Sequence, residues 1–193
     1  MLDNLQKYDI YLASGSPRRK ELLAGLGIDF KVRCLKDIDE SYPADLPADD
    51  VAEYISQKKA DAYRKIIAGN ELIITADTVV VCEGRVLGKP AGRDDAIAML
   101  RRLSGNVHHV VTGVTVVTAK SSTSFSVATE VSFARLTDEE IVHYVDNYHP
   151  MDKAGAYGIQ EWIGFVGVES ISGSYFNVMG LPVQRLYQEL KKL

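Results

Sequence analysis

One aspartate interrupts the most apolar run of the chain. The segment Leu72-Ile73-Ile74-Thr75-Ala76-Asp77-Thr78-Val79-Val80-Val81-Cys82 is otherwise apolar or β-branched. An ionised carboxylate inside such a segment costs free energy unless it is paired or binds a metal. Asp77 therefore reads either as a structural aspartate satisfied by backbone or an arginine, or as a metal ligand or general base. The second constellation is Ser14-Gly15-Ser16-Pro17-Arg18-Arg19, small residues and two guanidinium groups at a strand-to-helix turn. Free N–H groups at a helix start attract anions, and Ser14, Arg18 and Arg19 add donors suited to phosphate oxygens. Paired arginines on a helix are as a rule a solvated face; their place directly after a strand is what raises the phosphate reading. The third, Gly88-Lys89-Pro90, lacks the spaced glycine and the following Ser or Thr of a Walker A loop. Lys89 can still meet a phosphate as a point charge. The fourth, Asp152-Lys153-Ala154-Gly155-Ala156-Tyr157-Gly158-Ile159-Gln160, lets backbone approach a ligand. There Tyr157 offers a ring to stack on a base, and Gln160 a donor and an acceptor for a base edge. The alternative is a glycine-rich turn with Gln160 facing solvent.

Other attractive residues read as structural. His108 and His109 are neighbours on a strand and point to opposite faces. His143 and Cys82 lack metal-ligand spacing, and Trp162 reads as core or rim. No Ser-His-Asp set has a local signature.

These residues need elements to place them. Ile10–Ser14 reads as a strand, and Pro17 opens a helix that stops near Gly25 or Gly27. Phe30–Leu35 reads as a second strand. The acidic, proline-containing stretch Asp37–Asp50 reads as a loop and as the candidate lid. Asp50 is the expected cap of a helix over Val51–Ala68. The run 72–82 reads as a central strand buried on both faces. Glu83-Gly84 turns it back into a short strand over Arg85–Leu87, and a helix follows over Asp94–Leu103. His108–Ala119 and Ser124–Ala134 read as a hairpin across Lys120-Ser121-Ser122. Thr137-Asp138-Glu139-Glu140 has the pattern of a capping box. The segment 152–180 reads as short strands and loops, and Pro182–Leu193 as an amphipathic helix. Interleaved helices and strands with a hairpin predict an α/β fold with a mixed sheet.

Composition limits the function classes. The 193 residues suit one domain, with 46% hydrophobic and 25% charged residues as in ordinary globular chains. A net charge of −4 disfavours nucleic-acid binding but is silent on small anions, which a few local cations attract. Two cysteines, Cys34 and Cys82, are too few for a disulfide framework and read as partly buried thiols in a reducing compartment. With no signal peptide pattern and no run near the ~20 apolar residues of a membrane span, the expectation is a cytoplasmic protein with no membrane partner.

The motifs together resemble the Maf family of nucleoside triphosphate pyrophosphatases. The resemblance rests on LASGSPRRKELL (12–23), ADTVV (76–80), GKP (88–90), DKAGAYGIQ (152–160) and GSYFNVMGLP (173–182), in the family's order. It implies one Maf-like domain over 1–193, with a mixed twisted β-sheet flanked by helices and two lobes around a cleft, similar to the inosine triphosphatase fold. It implies hydrolysis of a nucleotide substrate to the monophosphate and pyrophosphate, a Mg²⁺ or Mn²⁺ cofactor and a homodimer. By motif, Ser14, Arg18 and Arg19 would grip the triphosphate, with Lys59 and Lys89 as phosphate-binding lysines. Glu40 and Asp77 would be metal ligands, Asp77 also the base that activates water, and Gln160 would recognise the base. Asp39 is an alternative to Glu40. The DKAGAYGIQ form resembles the dTTP/UTP branch, and Thr75 stands where the family often has Gly. The rival class, implied by the family's link to septum formation, is a nucleotide-binding regulator of cell division without turnover.

Overall fold

The computed structural model describes residues 2–193. Its strands form one seven-stranded sheet. These are β1 (Asp9–Leu12), β2 (Lys31–Val32), β3 (Glu71–Cys82), β4 (Arg85–Leu87), β5 (Val107–Thr118), β6 (Ser122–Phe133) and β7 (Val168–Ser172). The order is β2-β1-β3-β5-β6-β7, with β4 paired to β3. β1 runs parallel to both β2 and β3, whereas β4 on β3 and β7 on β6 are antiparallel, so the sheet is mixed as expected. The helices are α1 (Pro17–Ala24), α2 (Val51–Arg64), α3 (Arg93–Leu103), α4 (Asp138–Tyr148), α5 (Trp162–Gly167), α6 (Tyr175–Met179) and α7 (Val183–Leu190). Among the described residues, no helix is long and apolar enough to cross a membrane.

The chain forms two compact units. The first gathers the chain through Asp77, Thr112–Val127 and Gly180–Leu193; the second, Thr78–Val111 and Ala128–Met179. In the first, Ala60, Tyr63, Ile73 and Val117 make a buried cluster between α2 and the sheet. In the second, Val80, Leu100, Phe133, Ile141, Tyr144 and Ile163 belong to a larger core beneath α3 and α4. Both draw on strands buried along most of their length, which is why 72–82 carries so few polar residues.

Local chemistry explains most boundaries. Ser16 caps α1 by accepting from the Arg19 N–H, with Pro17 in the first turn. Thr137 and Glu140 form the reciprocal capping box that opens α4. The hairpin link is Ala119–Ser121, where Thr118 Oγ1 accepts from the N–H groups of Lys120 and Ser121 at 3.2 and 3.0 Å. Several expectations shift. The segment 152–180, read as short strands and loops, holds α5 and α6 with β7 between them. The second strand shrinks from Phe30–Leu35 to Lys31–Val32, because it meets β1 at only two residue pairs on an exposed margin. Asp50 makes no side-chain cap: a 3-10 turn over Ala48–Asp50 runs straight into α2 and gives Asp50 helical backbone angles. Cys34 is exposed; only Cys82 is buried.

Candidate active site

The first unit brings Asp77 against Lys59, and the packing beneath them dictates it. α2 approaches β5 closely at Gly113, where an added Cβ would lie 2.3 Å from the Ala52 and Glu53 backbone. Ser56 on α2 is then keyed to the sheet: its hydroxyl pairs with Thr115 Oγ1 at 2.9 Å, and Thr75 Oγ1 donates to its carbonyl at 2.8 Å. Residues three apart share a helix face, and residues two apart share a strand face. Fixing Ser56 against Thr75 therefore fixes Lys59 against Asp77. Lys59 Nζ donates to Asp77 Oδ1 at 2.7 Å, with both side chains largely buried. The carboxylate in the apolar strand is paired to a lysine, not to the backbone or arginine that the structural reading supposed. Thr75, where the family often has Gly, is part of the key.

Glu40 joins this pair from the acidic loop. Its Oε1 lies 3.1 Å from the same Lys59 Nζ, so one ammonium faces two carboxylates. The alternative, Asp39, turns elsewhere: it accepts from Lys58 Nζ at 2.7 Å and from the N–H and hydroxyl of Ser41, both at 2.9 Å. Asp39, the alternative ligand to Glu40, is thus committed to Lys58, a residue that no sequence signal marks among the lysines of a polar helix face.

Ser14, Arg18 and Arg19 stand together at the start of α1. Ser14 Oγ accepts from the Ser16 N–H at 3.2 Å and from Arg19 Nη1 at 3.4 Å. Arg19 is tied inward, donating from Nη1 to the Ala76 carbonyl and from Nε to the Gly180 carbonyl, each at 2.8 Å. It thus grips the backbone one residue before Asp77. Burial pulls its pKa below the usual guanidinium value, the Asp77 charge opposes that, and the Arg18 charge adds to it. A guanidinium remains cationic throughout the working pH range.

The second unit carries Lys89 and Gln160. Lys89 is exposed in the loop after β4, and the Gly88 carbonyl accepts from the Gly155 N–H at 3.0 Å. Gly155 has φ 66° and packs on Val80 so tightly that an added Cβ would lie 2.8 Å from Val80 Cγ2. Gln160 is half-buried, and its Oε1 is a buried acceptor with no hydrogen-bond partner. Gly158 makes room beside it, since a Cβ there would meet Gln160 Nε2 at 2.9 Å. Tyr157 is not a stacking platform. It is buried, bonded to His108 Nε2 at 2.7 Å and packed edge-on against Phe133. His109 faces out, as the alternation required.

A polar frame that no sequence motif announces holds this loop. The buried Lys153 ammonium lies 3.1 Å from Glu161, whose other oxygen accepts from Tyr144. Tyr144 Oη in turn accepts from the Gly158 N–H at 3.0 Å. The available signal was a tyrosine on the apolar face of α4 beside Ile141 and Val145, because a buried phenol requires a partner.

The donor set suits a hard divalent cation. Among the described residues, no three His, Cys, Asp or Glu side chains form a ligand cluster. Glu40 and Asp77 nonetheless converge on one positive charge at 3.1 and 2.7 Å. Mg²⁺ is held in this way, by one or two carboxylates with water and substrate phosphates completing the shell.

The sequence model of the family described as "Maf-like protein" matches residues 9–193. The chain is 62% identical over 193 residues to a dTTP/UTP pyrophosphatase of Bacteroides thetaiotaomicron, covering all of both chains. It is 53% identical to a dTTP/UTP pyrophosphatase of Porphyromonas gingivalis, covering 99% of this chain and 97% of that one. Among solved structures, a HAM1 protein from Coxiella burnetii matches the fold with TM-score 0.50 and 14% identity, over 96% of this chain and 100% of that one.

Proposed function

The chain belongs to the Maf family, and on that premise we propose that it hydrolyses dTTP and UTP to the monophosphate and pyrophosphate. One observation carries the reading beyond the relatives' names: Asp77 and Glu40 share the Lys59 ammonium at the half-buried step of an otherwise buried apolar strand. Lys59 engages Asp77 Oδ1. Oδ2 is the oxygen we assign to the attacking water, accepting its proton as the new bond forms at the α-phosphorus. The bond from that phosphorus to the bridging oxygen breaks, and pyrophosphate leaves.

The leaving group is highly charged, so positioned cations do most of the work. Lys59, Arg18 and Lys89 are assigned to the phosphates. Arg19 holds Ser14 and the Ala76 carbonyl in place as its partner. Glu40 and Asp77 are the residues that would hold Mg²⁺ or Mn²⁺, which when bound supplies positive charge to the phosphate oxygens. Base recognition is assigned to Gln160. Its unpartnered Oε1 is an acceptor that suits the N3–H of a thymine or uracil ring. Cytosine has no proton at N3, and a site with an unsatisfied buried group rejects the analogue that leaves it so.

Incubating the protein with dTTP and Mg²⁺ and resolving the products tests the reading. Expected are dTMP and pyrophosphate, suppressed by EDTA. Release of dTDP and phosphate would overturn attack at the α-phosphorus, and absence of turnover would favour a binding protein. Under the same conditions dTTP and UTP are expected to be turned over far faster than CTP or GTP; preference for a purine would refute the role of Gln160.

A further inference from the structure

Glu40 reaches Lys59 from a stretch of chain that apolar packing does not hold. Ile38 is half-buried and packs toward the Ala60–Tyr63 cluster, but every residue from Asp39 to Asp45 is exposed. Beneath 35–39 lies an open hollow of about 470 Å³, bounded on the helix side by Lys58, Asp61, Ala62 and Lys65. A segment over such a hollow gains little from burial, and each residue fixed costs about 1–2 kcal/mol of backbone entropy. Something polar must therefore hold Glu40 where it is.

Lys58 supplies that hold. Its Nζ donates to Asp39 Oδ2 and to the Ser41 carbonyl, both at 2.7 Å. Asp39 closes the turn by accepting from the Ser41 N–H and hydroxyl. The lysine thus grips the residues on either side of Glu40, and because Lys58 and Lys59 are consecutive on α2, the grip sets Glu40 against Lys59. We propose that Lys58, with the Asp39–Ser41 turn, is a clasp that positions Glu40 for divalent-metal binding. Lys58 is a positioning residue. It touches neither the substrate nor the reacting atoms in the assignment above, and the inference rests on Glu40 being a ligand.

Divalent-cation binding to the metal-free protein, without nucleotide, tests it. Free Mn²⁺ is followed by its electron paramagnetic resonance signal as metal is titrated in. Lys58→Met keeps the aliphatic stem and removes the grip; it is expected to raise the half-saturating Mn²⁺ concentration about three- to tenfold, the scale of a charged network on an open face. Lys58→Arg is expected to restore binding to within about twofold, since it keeps charge and donors. Amide exchange at Ser41 should quicken in Lys58→Met, as its N–H loses a braced acceptor. With dTTP, the Mg²⁺ needed for half-maximal rate should rise by the same factor while the rate at saturating Mg²⁺ stays near that of the unaltered protein. Unaltered Mn²⁺ binding by Lys58→Met overturns the clasp. Glu40→Gln separates the two failures. If it weakens Mn²⁺ binding and Lys58→Met does not, the clasp alone is wrong. If Glu40→Gln also binds Mn²⁺ normally, Glu40 is no ligand and the clasp falls with it.

Discussion

Two carboxylates facing one ammonium make Lys59 the hinge of the charge balance around Asp77. Replacing Asp77 by asparagine keeps the shape and a contact to Lys59 but removes the proton acceptor. The expected outcome is a fall in kcat for dTTP of about 10²–10⁴-fold, the usual cost of losing general base catalysis. Pyrophosphate release measured at saturating nucleotide and metal checks it, with circular dichroism to show that the fold is intact; a variant with unaltered kcat would remove Asp77 from the mechanism. Asp77 was legible from the sequence because a charge in an aliphatic strand is anomalous at sight. Lys59 was not: a lysine on a polar helix face looks like every other, and only the family resemblance singled it out. Gln160 stood between. Its orphaned Oε1 separates a recognition group from a solvent-facing turn residue, and that orphan exists only once the chain is folded.

At the scale of elements, the seating of α2 on the sheet decides whether Lys59 and Asp77 meet. Gly113→Ala would drive a Cβ to within 2.3 Å of the Ala52 and Glu53 backbone, which no rotamer change relieves. Overpacking of this kind costs about 1–3 kcal/mol. At roughly 2–4 °C per kcal/mol for a chain of this size, Tm is expected to fall by several degrees. The kcat should fall as well, since a shift of about 1 Å in a catalytic group can cost 10²-fold. Gly92→Ala is the control: nothing lies within 4 Å of its Cβ and its φ of 177° suits any residue, so Tm should fall only by the cost of a poorer helix cap, about 0.5 kcal/mol. The elements read best where local chemistry acts alone, as with the capping box at Thr137 and the Glu83-Gly84 turn with positive φ at both residues. They read worst where partners decide. β2 is two residues long and pairs only with Tyr11 and Leu12 of β1, and the 3-10 turn at Ala48–Asp50 displaces a cap that composition alone would assign.

For the molecule as a whole, periodicity announced a mixed sheet but not its order. Nothing in the aliphatic runs says that β1 lies between β2 and β3, because runs buried on both faces are interchangeable by composition. What folding adds globally is environment, and His108 shows its consequence for stability. The side chain is 1% exposed, set edge-on to Phe133 and Tyr157, with Nδ1 buried and unpartnered. Burial, with a smaller push from His109, lowers its pKa to about 4 from the ordinary 6.5. Above pH 6.5 the ring is neutral in both folded and unfolded chains and pH has no leverage through it. As pH falls from 6.5 toward 4, the unfolded chain takes up a proton that the folded chain refuses, and stability is lost by up to about 3 kcal/mol. The native carboxylates drawn down by salt bridges, such as Glu71 on Arg33 and Asp138 on Arg101, lose their own contributions only as pH drops through the carboxylate range. Urea unfolding at pH 7.5 and pH 4.5, for the unaltered chain and for His108→Leu, isolates the histidine by difference. The unaltered chain should lose more stability between the two pH values than the variant, and equal losses would mean that the ring is protonated inside the folded core.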